Sequence, residues 1–240
     1  WMGGLDGIDI YNPEKKTIKH LSKKDGLLFD RNNSLLEDSK GRIWSYGLRS
    51  GVNIIDPNNN TIKQFASQES LHGNWVTSLL EDSKGNIWLG GHLGELFYVD
   101  FKTQVLNTYV IDTVGNINPI DNLLEDDQQR IWLAGRVMGI HVLDPAMNTR
   151  TRIGAKEGLV SDVIFSLYRD DQNYLWTGTD KGVERLDIAE KKVSTFTISQ
   201  GLAANDVYAI IQRKNNILLG TSKGLSILKP IQDPATEETY

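Results

Sequence analysis

LLEDSKGNIWLGG, at residues 79–91, is one of four closely related segments in this chain, and their recurrence indicates a repeat architecture. The other three are LLEDSKGRIWSYG at 35–47, LLEDDQQRIWLAG at 123–135 and LYRDDQNYLWTGT at 167–179. Five of the six tryptophans follow the same rhythm, 43 or 44 residues apart: Trp1, Trp44, Trp88, Trp132 and Trp176. A period of about 40–45 residues is that of a propeller blade.

Each repeat contains four short β-prone runs separated by polar, glycine-rich turns. In the third repeat these runs, named A to D, lie at 78–81, 87–90, 96–99 and 105–109. Helical spacing of apolar residues is nowhere sustained, and strand C alternates apolar and polar residues as a half-buried strand does. The sequence therefore predicts an all-β fold, a β-propeller of four-stranded antiparallel blades.

Counting strands predicts a B-C-D half blade at 1–21, four complete blades, and an A-B-C set at 207–229. Strand A is expected near residues 34, 78, 122, 166 and 207. This gives about six blades with incomplete terminal ones, or a segment of a seven-bladed ring, over residues 1–230.

The polar stretch 231–240 is expected to be a tail or linker. Because the chain starts within a repeat, we interpret it as a piece of something longer. Open edge strands could then pair with another chain, so either a homodimer or disorder at the termini is expected.

Composition excludes several classes of function. The chain has 39% hydrophobic and 24% charged residues. Its net charge is −5, and acidic and basic residues are mixed within every repeat. We therefore expect neither nucleic-acid binding nor a polybasic membrane contact. No apolar run approaches 18 residues. The absence of cysteine excludes disulfides and thiolate metal sites.

The five regularly spaced tryptophans are predicted to pack between blades, because a large flat ring fills the space between two twisted sheets. Trp75 lies outside this spacing, in the loop between strands D and A. It is a candidate for stacking on a sugar, with the alternative that it covers the end of the core. Arg31 occupies the position equivalent to Trp75 one repeat earlier, and His72 lies in the same loop as Trp75. Both are further candidates for ligand contact.

The loops between strands B and C give a second irregularity. Three neighbouring repeats carry one extra residue there, at 48–51, 92–95 and 136–139. Arg49, His92 and Arg136 in these loops offer hydrogen-bond donors suited to hydroxyl, carboxylate or sulfate oxygens. The alternative is that they are ordinary solvated loops.

A short polar residue recurs in the D–A loop, four residues before the strand A core: Asp30, Asn74, Asn118, Asp162 and Asn205. It is predicted to cap the backbone where strand A begins.

The sequence contains few residue patterns that are typical of an enzyme active site. Glu-Asp pairs recur at 37–38, 81–82 and 125–126, and their recurrence at a turn favours a structural role over acid–base chemistry. No histidine pair has metal-ligand spacing, and no phosphate-binding loop or nucleophile elbow is present. We expect no metal, no cofactor and no catalytic residue.

The repeat, E-D-S-K-G followed by I-W-L-G and then G-V or G-L, resembles the two-component regulator propeller repeat. EDSKGNIWLGG at 81–91 and LWTGTDKGVERLD at 175–187 match it best, whereas the last repeat departs from it at 212–216 and at Leu218. The resemblance implies the sensor region of a Bacteroidetes hybrid two-component histidine kinase that regulates glycan utilisation. It further implies a periplasmic location, an oligosaccharide ligand and the remainder of the kinase chain as partner.

Two other functions stay open from the residues themselves. A propeller enzyme, such as a polysaccharide lyase or a hydrolase, would bring its catalytic groups together only on folding. A scaffold for dimerisation would use the open terminal sheets.

Overall fold

The computed structural model describes residues 1–32, 34–47, 51–66, 70–71, 75–100, 103, 105–110, 118–188, 190 and 192–229. These residues form 22 strands in six antiparallel sheets, and the predicted all-β propeller fold with incomplete first and last blades is confirmed. None of their helices is long and apolar enough to cross a membrane. The expected tail at 231–240 lies outside the described residues.

Residues 1–120 form one compact unit with three sheets. The first sheet consists of β1 (Met2–Gly3), β2 (Ile8–Asn12) and β3 (Thr17–Leu21). The second consists of β4 (Ser34–Glu37), β5 (Ile43–Tyr46), β6 (Val52–Asp56) and β7 (Thr61–Ala66). The third consists of β8 (Val76–Glu81), β9 (Ile87–Gly91), β10 (Glu95–Asp100) and β11 (Val105–Val110).

Residues 121–240 form a second compact unit, also with three sheets. The fourth sheet consists of β12 (Asn122–Glu125), β13 (Ile131–Gly135), β14 (Gly139–Asp144) and β15 (Thr149–Ile153). The fifth consists of β16 (Ile164–Arg169), β17 (Leu175–Thr179), β18 (Val183–Asp187) and β19 (Lys192–Phe196). The sixth consists of β20 (Val207–Arg213), β21 (Asn216–Thr221) and β22 (Gly224–Leu228). Each four-stranded sheet is a simple meander in chain order.

The A–B turn is built around the aspartate of the repeated segment. In the second sheet, Asp38 Oδ1 accepts hydrogen bonds from the backbone N–H groups of Lys40 and Arg42, at 3.0 and 2.9 Å. Asp38 Oδ2 accepts one from Trp44 Nε1 at 2.8 Å. The turn also requires a positive φ, which Gly41 supplies at 73°. One carboxylate thus closes the hairpin and fixes the indole ring.

Four of the five regularly spaced tryptophans are buried: Trp44, Trp88, Trp132 and Trp176. Trp44 packs against the next sheet, in a cluster that includes Ile87 and Phe97. Trp176 does the same with Val207 and Ile217. Trp1 differs, with 38% of its surface exposed. The tryptophan-bearing face of one sheet therefore covers the opposite face of the following sheet within each unit.

A polar link joins the A–B turns of successive sheets. In the first unit, Glu81 accepts hydrogen bonds from the backbone N–H and the hydroxyl of Ser39 at 2.7 and 2.6 Å. In the second unit, Arg169 forms an ion pair with Asp127. One sheet later, the backbone N–H of Asp171 donates to Gln212 Oε1 at 3.0 Å. The three links join equivalent positions, but one is a carboxylate–hydroxyl contact, one an ion pair and one a hydrogen bond to an amide oxygen.

Candidate ligand-binding surface

Trp75 and His92, two of the predicted site residues, are in direct contact. Their rings stack with centroids 3.9 Å apart and planes inclined by 18°. The backbone N–H of His92 also donates to the carbonyl oxygen of Trp75 at 2.9 Å. Both residues are half-buried. The result is a flat aromatic surface with the polar edge of an imidazole.

Strand register explains why these two residues meet. Trp75 directly precedes β8 and His92 directly follows β9, and Val76 of β8 is paired with Gly91 of β9. Antiparallel pairing therefore brings the residues just beyond that pair together. In the enlarged loop, Gly94 takes a φ of 83°, and Leu93 beside it is exposed.

Strand β8, which directly follows Trp75, is held from two sides. The hydroxyl of Tyr46, on β5, donates to the carbonyl oxygen of Thr77 at 2.5 Å. The hydroxyl of Thr77 in turn donates to the carbonyl oxygen of Ile120 at 2.8 Å. Such support limits the movement of the aromatic pair, which lowers the entropy lost when a ligand binds.

Arg136 belongs to a separate cluster in the second unit. Its side chain is 70% exposed, and its Nε lies 3.6 Å from Asp121 Oδ2. The guanidinium carbon is 5.8 Å from the centroid of the Phe165 ring. Phe165 in turn contacts Tyr208, with ring centroids 4.8 Å apart. The cluster combines an exposed cation, a carboxylate and two aromatic rings, which suits binding of a polar ligand with an apolar face.

Phe165 and Tyr208 were not among the predicted residues. Each is the extra residue of a β-bulge near the start of strand A, where the pairing register shifts between Ile164 and Ser166 and between Val207 and Ala209. Thr77 occupies the same position in β8. The bulge lengthens the strand, so β8 and β16 begin at 76 and 164, two residues before the expected starts. The only indication in the sequence was that the residue type changes from repeat to repeat at the equivalent positions 77, 121, 165 and 208.

The remaining predicted residues have no described contact with Trp75 and His92 or lie outside the described residues. The Arg31 side chain is exposed and has no hydrogen bond or ion pair to another described residue. Its carbonyl oxygen instead approaches Gly47 so closely that a Cβ there would lie 1.9 Å away. Arg49, His72 and Asn74 lie outside the described residues.

The prediction for the polar D–A column requires a correction. Asp30, Asp162 and Asn205 do not cap the start of strand A. Their side-chain oxygens accept hydrogen bonds from backbone N–H groups seven residues upstream, at Lys23, Ala155 and Ile198, over 2.7–2.9 Å. Those groups open three short 3-10 helices, Lys23–Asp25, Ala155–Glu157 and Ile198–Gln200. The unbonded N–H groups of a helix start compete successfully for the acceptor.

Strand C supplies a second support for the same loops. Asn53 Oδ1 accepts from the backbone N–H of Leu28 at 2.8 Å, and Ser226 Oγ accepts from Ala203 at 2.9 Å. In the fifth sheet the acceptor is Glu184, 2.7 Å from the backbone nitrogen of Val160. Burial raises the pKa of this carboxyl, although the hydrogen bonds from Val160 and Thr177 oppose the shift. These loops are therefore ordered by side chains on β6, β18 and β22.

The Glu-Asp pair at 81–82 is engaged in separate contacts. At 81–82, Glu81 binds Ser39 of the preceding sheet, while Asp82 Oδ2 accepts from Trp88 Nε1 at 3.0 Å. The two carboxylates thus point to different partners. Within the described part of the chain, no three histidine, aspartate or glutamate side chains group closely enough to hold a metal ion.

Three cavities lie between the outer strands of adjacent sheets, and another of about 430 Å³ lies at the A–B turns of the fourth and fifth sheets, lined by Asp127, Arg169 and Tyr174 among others. One of about 480 Å³ separates the fourth and fifth sheets and is lined by Trp132, Arg152 and Leu186, among others. Cavities of about 370 and 220 Å³ lie at equivalent places between the first and second and the second and third sheets. Their recurrence follows from packing twisted sheets side by side, and they do not involve the Trp75–His92 pair.

Comparison with known proteins supports the repeat assignment. Residues 70–92 and 158–181 match the family model described as two component regulator propeller, which confirms the resemblance seen in the sequence. No curated protein matches the chain.

Solved structures show the same fold at low sequence identity. The extracellular domain of a hybrid two component system from B. thetaiotaomicron is 20% identical, with a TM-score of 0.75 over 95% of this chain and 33% of that one. PorZ, a surface component of the type-IX secretion system of Porphyromonas gingivalis, is 15% identical, with a TM-score of 0.76 over 95% and 36%. The chain therefore spans about a third of the length of these two proteins.

An enzyme also shares the fold. A catalytically inactive virginiamycin B lyase from Staphylococcus aureus is 14% identical, with a TM-score of 0.68 over 97% of this chain and 80% of the lyase.

Proposed function

We propose that this chain is a non-enzymatic, ligand-binding part of an extracytoplasmic sensor, and that its ligand is an oligosaccharide. The stacked Trp75–His92 pair carries the proposal. A rigid, partly exposed aromatic surface matches the apolar face of a sugar ring, and the imidazole edge offers a hydrogen-bonding group for a hydroxyl. The regulator propeller matches and the likeness to a hybrid two component extracellular domain support the sensor role.

The cluster of Arg136, Asp121, Phe165 and Tyr208 is proposed as a second contact region. Its guanidinium group can donate to carboxylate, sulfate or hydroxyl oxygens, while the two rings bind an apolar sugar face. In this proposal the signal passes to the remainder of a sensor kinase chain, and the module is periplasmic.

Calorimetric titration of the purified chain with a glycan library tests the proposal. A ligand is expected, and Trp75→Ala should weaken its binding by about tenfold or more through loss of the stacking surface. Tyr11→Ala, which removes an exposed aromatic residue from the first sheet, is the matched control and should leave affinity unchanged. Equal affinity of the native chain and Trp75→Ala for every ligand would contradict this site.

A propeller enzyme is the second candidate, supported by the fold shared with the lyase. The same titrated samples are analysed for cleavage products. Binding with intact glycan supports the sensor, whereas conversion of glycan to products replaces it with the enzyme.

A further inference from the structure

One of the four buried tryptophans lacks the aromatic neighbour that the others have. In three sheets, a ring from strand C or D lies within 6.0 Å of the tryptophan ring, measured between centroids: Phe65 at Trp44, Tyr98 and Tyr109 at Trp88, and Phe196 at Trp176. Trp132, in the fourth sheet, has no such neighbour in the part of the chain that the structure describes, and the apolar residues packed around it are aliphatic.

Strand register shows which residues stand in place of the ring. Ile153, at the end of β15, occupies the position of Tyr109 and Phe196, since all three pair with the equivalent residue of strand C. Val142, which pairs with the tryptophan, occupies the position of Tyr98. Two smaller aliphatic side chains therefore lie where other sheets have aromatic rings.

The cavity between the fourth and fifth sheets, of about 480 Å³, lies at this place. The equivalent cavities vary with the residue near the end of strand D. The volume is about 220 Å³ where Phe65 lines the cavity and about 370 Å³ where Leu21 does. The cavity is thus largest where Ile153 replaces a ring.

The lining of this cavity suits an apolar ligand. Trp132 and Val142 of the fourth sheet are buried, and Ile188 and Val193 of the fifth sheet are half-buried. Small-molecule sites typically have volumes of about 300–1,000 Å³ and mostly hydrophobic walls. Cavities lined by aliphatic and aromatic side chains bind small aromatic molecules, because water finds few hydrogen-bonding partners there.

A guanidinium group lies at the same cavity. Arg130 lines it, and Nε and one terminal nitrogen of this side chain each lie 2.7 Å from Asp126 Oδ2. The guanidinium carbon is 5.6 Å from the centroid of the Trp132 ring. In the second sheet, Arg42 has the same relation to its tryptophan at 5.9 Å, and Phe65 lies beside that tryptophan as well. The fourth sheet therefore has the arginine of this arrangement without the ring.

We propose that this cavity binds a small molecule with a single aromatic ring, such as a phenol, in the place that an aromatic side chain fills in other sheets. The apolar walls bury the ring. Arg130 favours an aromatic ring over a saturated one, because a guanidinium group attracts the face of a π system. The polar substituent lies at the rim, where Thr149 and Lys192 are exposed. This inference is independent of the proposed oligosaccharide.

Fluorine NMR with 4-fluorophenol as the probe tests the proposal on the native chain. Saturable binding at one site is expected, with a Kd of about 1 mM or tighter, as is usual for a ligand of this size. Phenol should displace the probe. Cyclohexanol, which carries the same hydroxyl on a saturated ring, should do so about threefold or more weakly. Absence of probe binding, or equal competition by phenol and cyclohexanol, would overturn the proposal.

Two variants that supply the absent ring test the location. Ile153→Phe and Val142→Tyr reproduce the fifth and third sheets, and each should weaken probe binding by about tenfold or more because the new ring fills the cavity. Ile18→Phe, at an exposed apolar residue of β3, is the matched control and should bind as the native chain does. Thermal unfolding verifies that each variant is folded. Folded cavity variants with native affinity for the probe would refute this site.

Trp75→Ala distinguishes this site from the aromatic pair of the first unit. The variant removes the surface proposed for the oligosaccharide, and it should leave binding of 4-fluorophenol unchanged. Loss of probe binding in Trp75→Ala, with native binding in Ile153→Phe, would assign the ring to Trp75 and overturn the inference. Failure of every glycan to bind would contradict the oligosaccharide site and leave the phenol result as it stands.

Discussion

Trp176 Nε1 donates a hydrogen bond to Asp170 Oδ2 over 2.7 Å, inside a hairpin that the same aspartate closes. Asp170 Oδ1 also accepts from the backbone N–H groups of Gln172 and Tyr174 at 3.0 and 2.9 Å. Both Trp176 and Asp170 are buried. The pair couples a local turn to the packing between sheets, because the indole ring that it orients covers the sixth sheet.

Removing this acceptor should destabilise the fold. In Asp170→Ala, one indole N–H and two backbone N–H groups lose their partner, and we expect a loss of about 3 kcal/mol in the free energy of unfolding. Urea denaturation followed by tryptophan fluorescence measures it. Asp171→Ala, at the exposed neighbouring residue, should change stability by less than about 0.5 kcal/mol. Similar losses in both variants would contradict a specific role for Asp170.

Acid should weaken the same turns elsewhere in the chain. Burial alone would raise the pKa of Asp38, but hydrogen bonds from Arg42 and Trp44 outweigh it and hold the pKa below its ordinary value of 3.8. Burial and hydrogen bonds, here from Trp132 and Arg130, act in the same way on the pKa of Asp126. A lowered folded-state pKa contributes stability above the unfolded value and loses it as pH falls through the folded value.

The measurement is the free energy of unfolding between about pH 5 and pH 2. The double variant Asp38→Asn/Asp126→Asn should be less stable at neutral pH and should lose less stability than the native chain on acidification. If the free energy of unfolding of the double variant fell with pH as steeply as that of the native chain, other carboxylates would dominate the loss of stability in acid.

Glu184 should have the opposite pH dependence. Burial raises the pKa of its carboxyl above the ordinary 4.5, so the folded state holds the proton more firmly than the unfolded state. The stability of the chain should then decrease as pH rises from 4.5 through the folded-state pKa. Glu184→Gln keeps an oxygen for the N–H of Val160 and removes the charge. We expect this variant to be more stable than the native chain at pH 7.

Stability curves at several pH values test this expectation, and the advantage of Glu184→Gln should shrink towards acid. Glu190→Gln, at an exposed site in the turn between β18 and β19, is the control and should have little effect. A less stable Glu184→Gln at neutral pH would mean that the charge itself holds the loop.

Two glycines in equivalent positions should respond differently to a methyl group. In Gly178→Ala the new Cβ would lie 2.3 Å from Val207 O and 2.4 Å from Ser166 Oγ, so the fifth and sixth sheets must separate. We expect a cost of about 1–3 kcal/mol, the usual range for overpacking. Gly220→Ala meets only Ala209 at 3.4 Å and should be tolerated. The difference between the two midpoints of denaturation measures how tightly the sheets are packed.

Periodicity predicted the fold because tryptophan and its turn recur with almost no insertions. The sequence predicted that Trp176 packs between blades but not that it bonds to Asp170, because residue spacing alone does not show which side chains touch. The last repeat supports the pairing: Leu218 replaces the tryptophan, and the turn between Arg213 and Asn216 is a short hairpin without the aspartate. Both partners are absent from this repeat.

The candidate site was predicted only in part. Trp75 was identified because it breaks the tryptophan spacing and His92 because its loop is longer, but their contact depends on the register of β8 and β9. Phe165 and Tyr208 were missed because a bulge interrupts the two-residue period of a strand. No pattern of residue types reveals a bulge in a single sequence, whereas the hydrogen-bond register shows it directly.

The links between A–B turns have a consequence for how such an array evolves. Ser39 contacts Glu81, Asp127 contacts Arg169 and Asp171 contacts Gln212, so these three turns are each matched to a residue one sheet later. Unequal recombination that placed a repeat with Glu81 after one with Asp127 would set two carboxylates against each other. Repeats of the same length and fold are therefore not freely interchangeable, because each of these contacts requires a particular pair of side chains.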